Sequence, residues 1–282
     1  MMDDRGKFGP HVGIDLPGAR QKVRRALSGT LSRDLATPAL VIAAAMSILP
    51  AVVPLAGSGL LGTLIKWMPF MAQGFVLNVS MSLFAIFFGT IGGVLLGVGQ
   101  VAPVSWIWVP SKVLTQIFRN APWLVLLFYC IFLLPYQVTI GGQTYTIASW
   151  LRAAIGFTIP VAANFSEIVR GAMQSIPSGQ WEAARSLGYT WWQTVRLVIL
   201  PQCIKRMLPP WMNLYAILLM ATPLASIVGA EEALTNARTA LQAESDSRLL
   251  LPLYGYLLSW FFIYSYPIAR FSMALENRFA VR

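Results

Sequence analysis

Five stretches of this chain, 35–65, 67–111, 120–151, 207–230 and 249–269, contain no Asp, Glu, Lys or Arg. A charged side chain at the middle of a bilayer costs about 2.5–3.5 kcal/mol on insertion scales, and a helix needs roughly 20 apolar residues to cross the hydrocarbon core. Runs this long and this free of charge therefore constrain the fold to helices that cross a membrane. Only 11% of the 282 residues are charged and the mean hydropathy is +0.63, against about 25% charged residues in soluble domains. The expectation is an all-α polytopic membrane protein with crossings near 38–57, 75–99, 115–135, 148–171, 207–229 and 250–270. The fourth crossing carries Arg152 near its start and Glu167 and Arg170 near its end, so only its middle is uncharged.

Counting Lys and Arg in alternate connections fixes the orientation. With the N-terminus inside, seventeen fall on the cytoplasmic side, and only Lys66, Arg152, Arg238 and Arg248 fall outside. This bias places both termini and the connection 173–204 in the cytoplasm. It also accounts for the net charge of +10, leaving no excess that calls for nucleic acid. The chain then reads as a basic tail (1–34), an N-terminal membrane helix (35–58), a segment along the outer surface holding Lys66 and Trp67 (59–73), a membrane core (74–275) and a short cytoplasmic end (276–282). Trp67, Trp106, Trp108, Trp150, Trp211 and Trp260 lie near crossing ends, where an indole keeps its ring apolar and its N–H wet.

Gly89, Gly93 and Gly97 form a four-residue stripe that lets a second backbone approach. Asn78, Asn164, Asn213 and Thr222 are polar groups in apolar helices, where each needs a partner. Glu167 and Arg170, three residues apart, share a helix face and offset each other's insertion cost; Glu167 is the one acid expected at depth. The chemistry of catalysis is missing: the single histidine is His11 in the tail, no spacing of His, Cys, Asp or Glu suits a metal, and there is no phosphate-cradling glycine loop or nucleophile elbow. No catalytic residue and no cofactor-binding site is expected, so work must come from an ion gradient or from another subunit.

Residues 179–201 form a polar, helix-forming segment between two apolar ones. Ser178 stands as an N-cap and Glu182 in the first turn, facing the positive end of the helix dipole. Paired alanines on an exposed side and a glycine break suit a helix that a groove in another protein can grip. The pattern Glu182-Ala183-Ala184, three residues, Gly188, nine residues, Val198-x-Leu200-Pro201 resembles the cytoplasmic loop of permease subunits of binding-protein-dependent ABC importers, with valine for isoleucine. Phe118-Arg119-Asn120-Ala121-Pro122 is similar to F-R-G-T-P, Glu167-Ile168-Val169-Arg170-Gly171 to E-I-x-R-G, Gly179-Gln180 to G-Q and Pro201-Gln202 to P-Q of the branch that imports polar amino acids and opines. The resemblance runs from about residue 74 to the C-terminus.

That resemblance implies a type I importer permease in a bacterial inner membrane: a core of five transmembrane helices, to which the N-terminal helix is an addition. It implies a homologous second permease, a dimer of ATP-binding subunits holding ATP and Mg, and a periplasmic substrate-binding protein. Gly179, Gln180, Glu182, Ala183, Ala184, Leu187 and Gly188 would couple to the ATPase; Asn164, Glu167 and Thr222 are candidates for the substrate path. Where relatives have K-D-T-S-L, this chain reads Met220-Ala221-Thr222-Pro223-Leu224, which points to a heterodimer whose other half supplies polar contacts. The alternative is an ion-gradient-driven secondary transporter or channel, in which 179–201 is an interfacial helix pinned by its tryptophans.

Overall fold

The structure is a computed structural model that describes the backbone of residues 57–279. The chain divides into the units Met1–Gly59 and Leu60–Arg282, and the second holds the helical bundle. The tail at 1–34 and the crossing near 38–57 lie outside the described residues.

Helix α1 (Gly57–Gly99) has 43 residues, about 65 Å of helix and twice the thickness of a bilayer core. The boundary expected between a surface segment and a crossing at 73/74 falls inside this one helix. Lys66 and Trp67 are held by a tertiary contact: Lys66 Nζ and Trp67 Nε1 both donate to Glu244 Oε1, at 2.7 and 2.8 Å.

The straight crossing expected at 115–135 is instead two helices, α2 (Ser105–Asn120) and α3 (Trp123–Leu133), that meet at 103°. The break lies at Ala121-Pro122. A residue before proline is pushed out of the helical region, and Ala121 is extended at φ −71°, ψ 138°. A β-hairpin follows, β1 (Gln137–Ile140) with β2 (Gln143–Thr146), closed by Gly141 and Gly142 at φ 61° and 83°. Two central residues with positive φ make the turn whose twist matches the strands. The fold is thus predominantly helical rather than all-α.

Helices α4 (Ser149–Gln174) and α5 (Ser178–Ser186) come next. A continuous helical run, α6 (Trp191–Ser226), follows. It starts as a short α turn, passes through a π-helical segment (Thr194–Ile199), and ends in a 3-10 turn (Thr222–Ser226) after Leu200–Ala221. Helix α7 (Ala233–Glu244) was not expected, and α8 (Leu250–Phe279) runs past the boundary expected at 275/276. By length and composition three described helices can cross a membrane, or four if the bent α2–α3 pair is one crossing.

Helix α4 is not among those three, because Arg152, Glu167 and Arg170 interrupt it; it sits at the centre of the core instead. A β-carbon on Gly89 would come within 2.5 Å of Val161, on Gly93 within 2.8 Å of Phe165, and on Gly97 within 2.6 Å of Val169. The glycine stripe of α1 is therefore a contact groove for α4, as its spacing predicts. The three contacts advance together along both chains, so α1 and α4 run in the same direction. Interhelical hydrogen bonds reinforce this packing. Tyr215 links Ser82 of α1 (3.4 Å) to Tyr264 of α8 (2.9 Å), and Trp211 Nε1 donates to Thr90 Oγ1 at 2.8 Å. Trp211 is thus a half-buried interhelical donor.

Candidate functional site

Helix α5 is nine residues long and leaves most of its surface open: Glu182, Ala183 and Arg185 are exposed, and Leu187 just beyond it is 75% exposed. Pro177, not Ser178, occupies the N-cap position, with no side-chain cap, and Glu182 lies past the first turn. The two alanines divide their work. Ala183 faces solvent, whereas Ala184 is 3% exposed and turns toward the bundle. The helix ends in a Schellman turn: Gly188 N donates to Arg185 O at 2.9 Å and Tyr189 N to Ala184 O at 3.1 Å, with Gly188 at φ 78°. A left-handed residue in that place is why glycine stands there. Immediately afterwards Thr190 and Gln193 form a reciprocal capping box that starts α6.

Side chains of α6 fix this turn at both of its edges. Gln202 Nε2 donates to Gln180 Oε1 at 3.3 Å, joining the Gly-Gln and Pro-Gln parts of the pattern, and Arg206 Nη1 donates to Ser175 O and Oγ, both at 2.7 Å. Trp181 is half-buried and packs against the hydrophobic core. The result is a short helix rigidly mounted on its inner side and open on its outer one. The Glu182 carboxylate has no partner among the described residues.

The three candidate path residues fall in different settings. Asn164 Nδ2 donates to Pro160 O within its own helix at 2.8 Å. Glu167 receives Arg170 at 2.7 Å, as expected, and also Arg119 of α2 at 3.2 Å, a cross-helix pair that sequence spacing did not reveal. Thr222 is fully buried and belongs to another cluster. There Asn78 Nδ2 donates to Thr222 Oγ1 and to Glu232 Oε2, each at 3.0 Å, while Asn78 Oδ1 accepts from Ala233 N at 3.0 Å. Glu232 Oε1 caps α7 by accepting from Thr235 N at 2.8 Å.

Glu232 is a buried acid that the sequence did not single out: it is 0% exposed, against 15% for the Glu167 side chain. Burial pushes its carboxyl above the ordinary value, against the opposing pull of hydrogen bonds from the backbone N–H groups of Leu234 and Thr235 and the side chains of Asn78 and Thr235. Its position just after an apolar run reads in sequence as a solvated end. Glutamate is also a poor N-cap residue by type, so no local signal marks it.

Among the described residues no group of three His, Cys, Asp or Glu could hold a metal. What stands out is the pair of surfaces just described: a mounted, open helix at one end of α4 and a sealed polar node where α1 meets the start of α7. Residues 89–269 match the family described as "Binding-protein-dependent transport system inner membrane component", and the chain belongs to it.

It is a permease subunit of an ABC importer, and the gradient-driven alternative is not favoured. Among curated relatives, the probable amino-acid ABC transporter permease YckA of Bacillus subtilis is 35% identical over 64% of this chain and 78% of its own length. The probable glutamine permease GlnP of the same species is 30% identical over 74% and 93%. A crystal structure of an amino acid ABC transporter with histidines superposes with TM-score 0.64 at 22% identity, covering 76% of this chain and 96% of that one. The methionine transporter MetNI gives 0.57 at 21% identity over 74% and 97%. At these identities the structural likeness establishes the fold.

Proposed function

We propose that this chain is one half of the membrane pathway of an importer for amino acids or related small polar solutes in a bacterial inner membrane. The names of its relatives support the solute class. In this reading five core helices and the additional N-terminal helix cross the membrane, with both termini cytoplasmic. A homologous second permease completes the pathway as a heterodimer, and a periplasmic binding protein delivers the solute. ATP and Mg act on a separate pair of ATP-binding subunits, and this chain supplies no catalytic group.

The observation that carries the proposal is the open face of α5. Gly179, Gln180, Glu182, Ala183, Ala184, Leu187 and Gly188 form the element seated on the ATP-binding subunit. Its clamps through Gln202 and Arg206 make it a lever: a push on α5 moves α4 and α6 as rigid bodies, the kind of element that switches between two packings. Asn164 and Glu167 on α4 are proposed to border the solute path, and Thr222 at the end of α6, buried against Asn78, is proposed to stand behind that lining.

The test replaces Leu187 by Asp. The side chain is mostly exposed, so folding should change by no more than about 0.5 kcal/mol. Loss of a central apolar contact at a docked interface costs about 2 kcal/mol or more, which weakens co-purification of the ATP-binding subunit by roughly thirtyfold. Undiminished assembly and undiminished transport-coupled ATP hydrolysis would remove α5 as the docking element.

A further inference from the structure

Helix α2 has three faces with three characters. Ile107, Ser111, Thr115 and Phe118 turn toward the bundle, where the fully buried Thr115 meets Ser166 of α4 at 2.9 Å and Gln100 at 3.2 Å. A second face is apolar yet open: Trp106 is 76% exposed, Val113 50% and Ile117 57%. The third carries exposed Lys112, Gln116 and Arg119.

A helix that is packed on one side, apolar on the next and cationic on the third fits the boundary between lipid and water, where basic side chains lay their stems on the apolar zone and keep their charge wet. The bend agrees with this. With α3 pointing into the bilayer along its normal, the 103° turn lays α2 nearly in the membrane plane. Trp108 lies at the edge of the cationic face next to the bundle, with Lys112 Nζ 6.0 Å from its ring centre. Behind this edge Arg119 reaches Glu167 at 3.2 Å and Arg170 reaches the same carboxylate at 2.7 Å. Two cations thus hold one anion, and with Lys112 on the same face of α2 as Arg119 the patch keeps a net positive charge after Glu167 is counted. Arg119 stays 40% exposed at the side chain.

We infer that α2 is an interfacial helix whose Lys112 and Arg119, supported by Arg170, hold the phosphate of an anionic phospholipid headgroup. Trp106, Val113 and Ile117 would lie against that lipid's acyl chains. The charge excess selects an anionic headgroup over a zwitterionic one, and the adjoining apolar face selects a lipid over a free phosphate. Such a contact would tie the cross-helix pair Arg119–Glu167, and through it the α4 end that carries α5, to the composition of the membrane.

The test is native mass spectrometry of the assembled transporter in mild detergent, offered equal amounts of phosphatidylglycerol and phosphatidylcholine. The unmodified complex retains phosphatidylglycerol preferentially. Lys112→Gln with Arg119→Gln lowers that retention by roughly fivefold for each charge removed. Arg196→Gln with Lys205→Gln, an equal charge change elsewhere, leaves it unaltered. Equal losses from both pairs overturn the site, and so does displacement of the lipid by inorganic phosphate, which would assign the cluster to a free anion.

Arg119 also pairs with Glu167, so a photo-crosslinking residue placed at Val113, with all cations intact, supplies a second measurement. Adducts with phospholipid support the inference; adducts with a second permease chain overturn it. Neither readout requires transport or ATP hydrolysis, so its failure is distinct from failure of the import reading.

Discussion

The sealed node around Asn78 and the open turn around α5 handle polar groups in opposite ways. At the node, every hydrogen-bonding atom of the Asn78 side chain described above has an internal partner, and a carboxylate is buried with its donors supplied by Asn78, Thr235 and the α7 backbone. At α5 the C-terminal end is closed by the turn at Gly188, while Glu182 and Leu187 are left to the exterior. Burying an unpaired polar group costs on the order of 1–3 kcal/mol, so the first arrangement reports that the protein closes there upon itself. The second reports a surface finished by something else.

The largest expected effect tests the closed side. Asn78→Ala removes three hydrogen bonds at once and leaves Glu232 and Ala233 N short of a partner. We expect a loss of about 3 kcal/mol, or on the order of 10 °C in the thermal unfolding of the purified complex. A shift of only a degree or two would mean that the node is not the closed structure described. Gly188→Val comes next. A branched side chain at φ 78° strains the turn by about 2 kcal/mol, with open space around it. The expected signature is therefore a large loss of coupled ATP hydrolysis with a melting shift well below that of Asn78→Ala; the reverse ranking would break the contrast.

A smaller effect is carried by pH. Glu232 titrates above its ordinary 4.5 in the folded chain, so between these two values the folded state holds more protons than the unfolded one. Its contribution is greatest at low pH and declines as pH rises from 4.5 toward the folded value. Melting curves of the complex against Glu232→Gln across that window should converge on the acid side and separate above it.

Smallest of all is Glu244, where Lys66 and then Trp67 hold the carboxyl below its ordinary 4.5. Its sign is opposite: the contribution is present above 4.5 and is lost as pH falls through the lower folded value. Glu244→Gln should melt slightly below the parent above pH 4.5 and coincide with it in acid, and a difference that persists at the acid end would contradict the assignment.

Much of this was legible in the sequence, for identifiable reasons. Charge-free runs located α1, the later part of α6 and α8, because insertion cost acts residue by residue. Glycines four residues apart named the contact face of α1, since only that spacing stacks on one side of a helix. The 179–201 pattern led to the family and to α5. The β-hairpin had its signal in Gly141-Gly142 between alternating Gln137–Ile140 and Gln143–Thr146, and the hydropathy reading passed over it. Pro122 was likewise a visible breaker, hidden within an otherwise continuous apolar run.

What the amino-acid order determined by itself was local: where a helix can stay in lipid, where glycine must stand, and which segment belongs to the importer pattern. Each follows from the energetics of single residues or of neighbours along one helix. The tertiary structure alone decided that Arg119 meets Glu167, that Ala184 turns inward while Ala183 turns outward, and that Glu232 is sealed against Asn78, 154 residues away. Such contacts join positions that no periodicity relates, and the free energy of a buried polar group depends on the atoms that finally surround it.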